Sequence, residues 1–166
     1  MRVSATLVIM LCAILMAPMT RAGTTDEDFR QGLTAFNIGD YATALRLWRP
    51  LAERDDPRSE AGLGFMYHRG LGVAVDDGEA AMWLRRAAEH GQAEGQLMLG
   101  ILFYYGRGVP QSFARAYAWC ELAESDGNAD ATLCRDAALE SMQSEADREA
   151  AFRLVVELRE RYGSHR

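Results

Sequence analysis

Residues 61–91 read AGLGFMYHRGLGVAVDDGEAAMWLRRAAEHG, and their landmarks return 36 positions later. Leu63-Gly64 is answered by Leu99-Gly100, Tyr67 by Phe103, and Gly70, Gly72 and Val73 by Gly106, Gly108 and Val109. Ala80, Trp83, Ala87 and Gly91 are answered by Ala116, Trp119, Ala123 and Gly127. One offset relating so many positions restricts the chain to a stack of similar units, each burying its apolar face against the next. Apolar residues recur at helical spacing on both sides of the glycine loop, so each unit reads as helix, loop, helix. The expected fold is all-α, a solenoid of antiparallel helix pairs.

The local chemistry agrees. Gly64 and Gly100 fall inside helices, where glycine costs about 1 kcal/mol relative to alanine. Close approach of a neighbouring helix must offset that cost. Gly70 and Gly72 supply the left-handed backbone that ends the first helix. Asp76, with Glu79 three positions on, reads as a capping box for the second helix, and Ser112 takes the cap one unit later. Trp83 stands among Ala80, Ala87 and Ala88, a large-and-small stripe suited to interlocking helices.

The repeat frays at both ends. Residues 24–58 form a first unit that lacks the Gly-x-Gly-Val loop. Phe29, Leu33 and Phe36 mark its first helix, and Tyr41, Ala44, Leu45, Trp48 and Leu51 its second, in which Pro50 should kink or tighten the last turn. Residues 59–94 and 95–130 are the full units. In 131–162 the pattern fails, because Arg135 stands where Leu99 stands. Two capping helices are expected there, the second opened by Ser144 and burying Ala151, Leu154, Val155, Leu158 and Tyr162 on one face.

Residues 1–22 carry Arg2, an apolar run from Val3 to Ala17 that includes Cys12, then Pro18 and a small-residue site ending at Ala22. That is the layout of a cleaved signal peptide, which predicts an exported protein, periplasmic or secreted, with no membrane span after cleavage. Removing Arg2 and Arg21 takes the net charge from −6 to −8. Every basic side chain is arginine except the histidines, and these arginines are scattered among acids, which argues against nucleic acid as a partner. Export would place Cys120 and Cys134 where disulfides persist. Both lie seven residues from Gly127, so they stand either as a bridge or as two buried small hydrophobes, and helical phase decides.

The two full units resemble Sel1-like repeats, a tetratricopeptide-related family. The resemblance rests on Leu63-Gly64, Tyr67, Gly70-x-Gly72-Val73, Asp76, Ala80, Trp83, Ala87-Ala88 and Gly91, with their partners one unit on. Phe103, Ser112, Ser59 and Gly95 depart from the pattern. The resemblance implies an α/α right-handed superhelix and a role in protein–protein interaction or assembly. Some disulfide-rich exported relatives are linked to penicillin binding or β-lactamase activity, but their cysteines are spaced differently, and that activity is not carried over.

Catalysis would require a nucleophile, a base and an orienting acid. His68 and His90 end helices, where a dipole contact or plain exposure accounts for them, and His165 lies in the tail. No histidine pair or CxxC has metal-ligand spacing, and Gly70-x-Gly72 lacks the lysine and strand of a phosphate loop. No enzyme, cofactor or metal is expected. The expected function is a non-catalytic adaptor whose concave face grips a protein or peptide in the bacterial envelope. The alternatives are a cell-wall-directed enzyme or ligand-binding protein, and an obligate subunit of a larger envelope complex. Candidate partner-binding residues are Tyr104 and Tyr105, adjacent aromatics that cannot both face one core, with Glu60, Gln96 and Met66. Phe65 and Ile101, also on first helices, are further candidates for the concave face, with core packing favoured for both.

Overall fold

The computed structural model describes residues 25–163; the expected signal segment with Cys12, and His165 in the tail, lie outside the described residues. Eight helices follow one another: α1 (Thr25–Asn37), α2 (Tyr41–Ala52), α3 (Pro57–Arg69), α4 (Asp77–Glu89), α5 (Ala93–Tyr105), α6 (Phe113–Ser125), α7 (Ala131–Ser141) and α8 (Glu145–Tyr162). There is no strand among the described residues. Each helix packs most closely on its sequence neighbours, except that α8 returns to α6.

The caps explain where the helices start and stop. Asp56 accepts from Ser59 N–H and Asp76 from Gly78 and Glu79 N–H, while Ser112 and Ser144 accept from Arg115 and Asp147. The reciprocal half of the capping box does not form. Asp76 N–H donates instead to Tyr67 O at 3.0 Å, closing the loop onto the preceding helix. Ser112 N–H does the same to Phe103 O. Gly70 and Gly106 end α3 and α5 with φ of 69° and 68°. The second glycine of each loop is required for a different reason. A Cβ on Gly72 would lie 2.8 Å from the Tyr41 Cβ, and one on Gly108 would overlap the Asp77 carbonyl. Each loop therefore rests on the first residue of the preceding unit's second helix, which is how the units stack.

The core follows the expected stripes. Leu84 of α4 fills the notch at Gly64, and Cys120 of α6 fills the notch at Gly100. Ala80, Ala87, Ala88 and Trp83 are buried, as are Ala116, Ala123 and Trp119. In the shorter first unit Trp48 occupies the notch position, flanked by Gly32 and Gly62. Helix α2 runs through Pro50 and ends two residues later. At the far end Ala151, Val155 and Leu158 of α8 are buried, with Leu154 and Tyr162 packed beside them. Arg135 does not enter the core; it pairs with Glu121 and Glu124 of α6 and with its neighbour Asp136. Cys120 and Cys134 form a disulfide, with Cα atoms 6.0 Å apart.

Candidate functional site: an aromatic groove on the first helices

Helices α1, α3 and α5 enclose a groove of about 380 Å³. Its floor exists because Gly32 and Gly62 leave room for the Trp48 indole, which packs against both and is buried between them. Trp48 Nε1–H donates to Phe29 O at 3.2 Å, fixing the ring. Phe29 and Phe36 stack on it with centroids 5.8 and 5.6 Å away, and Phe65 meets Phe36 edge-on at 6.0 Å. Leu33 stands on the rim 41 % exposed, and half-buried Met98 closes the α5 side.

On the rim, Arg58 stands among three carboxylates, Asp26, Asp56 and Glu94. The Arg58 guanidinium lies 4.3 Å from the Phe29 centroid and pairs with Asp26 at 2.8 Å and Asp56 at 3.2 Å. The hydrogen bond from Arg58 holds the Asp26 carboxyl below the usual carboxylate range, and Asp26 in turn raises Arg58. Glu94 accepts from Asn128 Nδ2. An apolar floor under an acidic rim favours apolar side chains, and basic rather than acidic residues beside them.

Three of the expected binding residues are elsewhere. Glu60, Gln96 and Met66 are 0 %, 1 % and 0 % exposed, so none presents a surface to a partner. Glu60 and Gln96 turn toward the ends of α4 and α6, where they meet His90 and Asp126, and Met66 packs in the cluster with Trp48, Leu51 and Trp83. Tyr105 is 66 % exposed; Tyr104 is half-buried, 3.2 Å from Ser141 Oγ, with its ring against Tyr105 and Phe113. Both sit at the end of α5, outside the groove. Phe65 and Ile101 are half-buried, and Phe65 lines the groove.

The histidines also differ from expectation. His68 Nδ1 lies 2.6 Å from Asp77 Oδ1, and His90 Nδ1 lies 2.9 Å from Glu60 Oε2. The first pair braces α3 to α4 across the loop. One unit later the same positions are Tyr104 and Phe113, whose rings meet at 5.4 Å. A carboxylate–imidazole contact and an aromatic contact thus serve the same joint. Among the described residues, no three His, Cys, Asp or Glu side chains are placed to share a metal ion. No helix among them is long and apolar enough to cross a membrane.

The stacked pairs, glycine loops and caps define an all-α repeat solenoid. The Sel1 repeat family matches residues 57–92 and 93–128. A Sel1 repeat protein from Oxalobacter formigenes is similar over 68% of this chain and 87% of its own, with 33% identity and a TM-score of 0.61. A protective antigen present in uropathogenic Escherichia coli strains, displaying an SLR fold, is similar over 84% of this chain at 26% identity and a TM-score of 0.80. The chain spans 31% of that antigen's length. No curated protein matches. The chain belongs to the Sel1 repeat family, whose fold commonly serves protein–protein interaction.

Proposed function

We propose that this protein is an exported, non-catalytic adaptor that holds a protein or peptide partner by apolar side chains seated in the α1–α3–α5 groove. The observation that carries the reading is the aromatic floor made by Phe29, Phe36, Trp48 and Phe65 beneath an exposed Leu33. Aromatic pockets with a polar rim are where interface binding energy concentrates. Residues 1–22 support export, and the Cys120–Cys134 bridge fits an oxidising compartment.

The test is photo-crosslinking in cells from Leu33 and Met98, with Val75, an exposed loop residue, as control. A partner captured from the groove positions, absent from the control and lost on Leu33→Glu, is the expected result. Capture from Tyr105 alone would move the site to the end of α5. No capture from any position would sink the adaptor reading.

A further inference from the structure

The aromatic groove differs from one end to the other. Phe36 and Phe65, late in α1 and α3, close one end, while Arg58 and Glu94, early in α3 and α5, close the other. Arg58 and Glu94 are 36 residues apart, so one helix puts a cation where the next puts a carboxylate. The cation is already engaged on both sides: Arg58 Nη1 donates to Asp26 at 2.8 Å and Nη2 to Asp56 at 3.2 Å. Exposed Glu94 accepts only from the neutral Asn128 amide, at 3.0 Å. Asp130 follows at the same offset, exposed, with no capping bond from its side chain to α7. Past Arg58, this edge of the first helices therefore carries carboxylates that meet no cation among the described residues.

The two ends are close enough for one short segment to reach both. Arg58 and Phe65 are seven residues apart on α3, which at about 1.5 Å per residue separates the ends by roughly 10 Å. An extended chain covers that distance in about three residues. We propose that the occupant of the groove is a protein segment with an aromatic or large aliphatic side chain seated between Leu33 and Phe65, and an arginine or lysine about three residues away against Glu94. This rests on the groove being the binding site. The basic head donates to the Glu94 carboxylate, and its alkyl stem lies along half-buried Met98, four residues further on α5. An acidic residue in its place would meet Glu94 as a like charge and find Arg58 held by Asp26 and Asp56. An exposed charge pair adds little affinity. The base therefore selects among apolar segments, and the anchor holds them.

The experiment is an NMR titration of the full chain, read at the Leu33 methyls and the Trp48 indole N–H. The probes are acetyl-Arg-Ala-Ala-Phe-amide and acetyl-Phe-Ala-Ala-Arg-amide, which cover both chain directions, and the same peptides with glutamine or glutamate for arginine. In the direction that binds better, the arginine peptide should bind about threefold more tightly than the glutamine peptide, and the glutamate peptide more weakly still. Glu94→Gln should close the gap between arginine and glutamine peptides and leave the glutamine peptide unchanged. Arg58→Gln, which releases Asp26 and Asp56, should tighten the arginine peptide further. Thermal melts check that both variants fold, and on the parent alone raised salt should narrow the same gap. Equal binding of all three charge types would overturn the proposal and leave the groove as an apolar site. So would a preference for glutamate, or a preference for arginine that survives both Glu94→Gln and raised salt. No shift at Leu33 or Trp48 from any peptide would overturn the groove reading together with this one.

Discussion

Cys120 on α6 is bonded to Cys134 on α7, and the Cys120 sulfur lies where a side chain on Gly100 of α5 would have to go. One unit earlier the same two positions are Leu84 and Met98, which belong to one apolar cluster. The disulfide thus takes the positions of two residues of an apolar cluster at the point where the repeat pattern is lost. Helix α7 buries only Ala131 and Ala138 fully, so it brings little apolar area of its own. The covalent bond and the Arg135 pairs hold it to the last full repeat.

Breaking the bond should therefore be costly. A closed loop of this length, with the cysteines 14 residues apart, restricts the unfolded chain by about 3 kcal/mol in the entropic account. Urea unfolding of the oxidised protein, the reduced protein and Cys120→Ala/Cys134→Ala should show that loss. Amide exchange should then quicken first in α7. Equal midpoints would show that α7 is held by its salt bridges alone.

The helix-interior glycines make a second test, because propensity and packing pull in opposite directions. Gly64→Ala would gain about 1 kcal/mol of helix propensity, but its Cβ would lie 2.5 Å from Leu84 Cγ. Overpacking of this kind typically costs about 1–3 kcal/mol, so Gly64→Ala and Gly100→Ala should both lower the denaturant midpoint. Gly91→Ala has no atom within 4 Å, yet its φ is +76°. It should cost about 1 kcal/mol through the backbone alone.

Most of the fold was legible because repetition exposes it: a landmark that recurs 36 residues on is a structural requirement, and Gly64, Gly70, Trp83 and Asp76 are each explained by a contact or cap. The groove was less legible. It depends on Trp48, Phe29 and Phe65, which come from a shortened first unit and its neighbour, so no repeated motif announces it. Glu60 and Gln96 lie on first helices, and their place in the repeat alone does not say which face they take. Helical phase turns them inward, and the signal available was that His90 and Asp126 recur at the same offset to meet them. The Cys120–Cys134 pair stayed open in the sequence for the same reason, since spacing alone does not give the direction of a side chain.

Asp55 is the one non-glycine with positive φ among the described residues, at 62°, where Gly91 and Gly127 stand in the later units. A left-handed L-residue costs about 1–2 kcal/mol. In return, Asp55 Oδ1 accepts from Arg86 at 2.8 Å, an exposed pair. Exposed pairs contribute about 0–1 kcal/mol. Arg86 keeps its bond to Ala52 O and its pair with Glu60 without it. Asp55→Gly should therefore stabilise the protein slightly, and Asp55→Ala should destabilise it. A thermal melt with both variants checks the order, and Asp55→Gly melting below the parent would mean the Arg86 contact outweighs the backbone strain.

Tyr117 supplies the pH dependence. Burial against α8, with its ring 5.5 Å from Phe152, raises its phenol above the ordinary 10.0, and the Glu121 carboxylate raises it further. A phenol whose folded-state pKa is raised binds its proton more tightly folded than unfolded. Its contribution is complete below about pH 10 and is lost as pH rises through the folded value. Phenolate absorbance should show one of the six tyrosines titrating after the rest, and that late step should vanish in Tyr117→Phe. The variant should also lose less stability than the parent between neutral and strongly alkaline pH. A parent and variant with the same alkaline stability profile would show that Tyr117 ionises without disturbing the contact between α6 and α8.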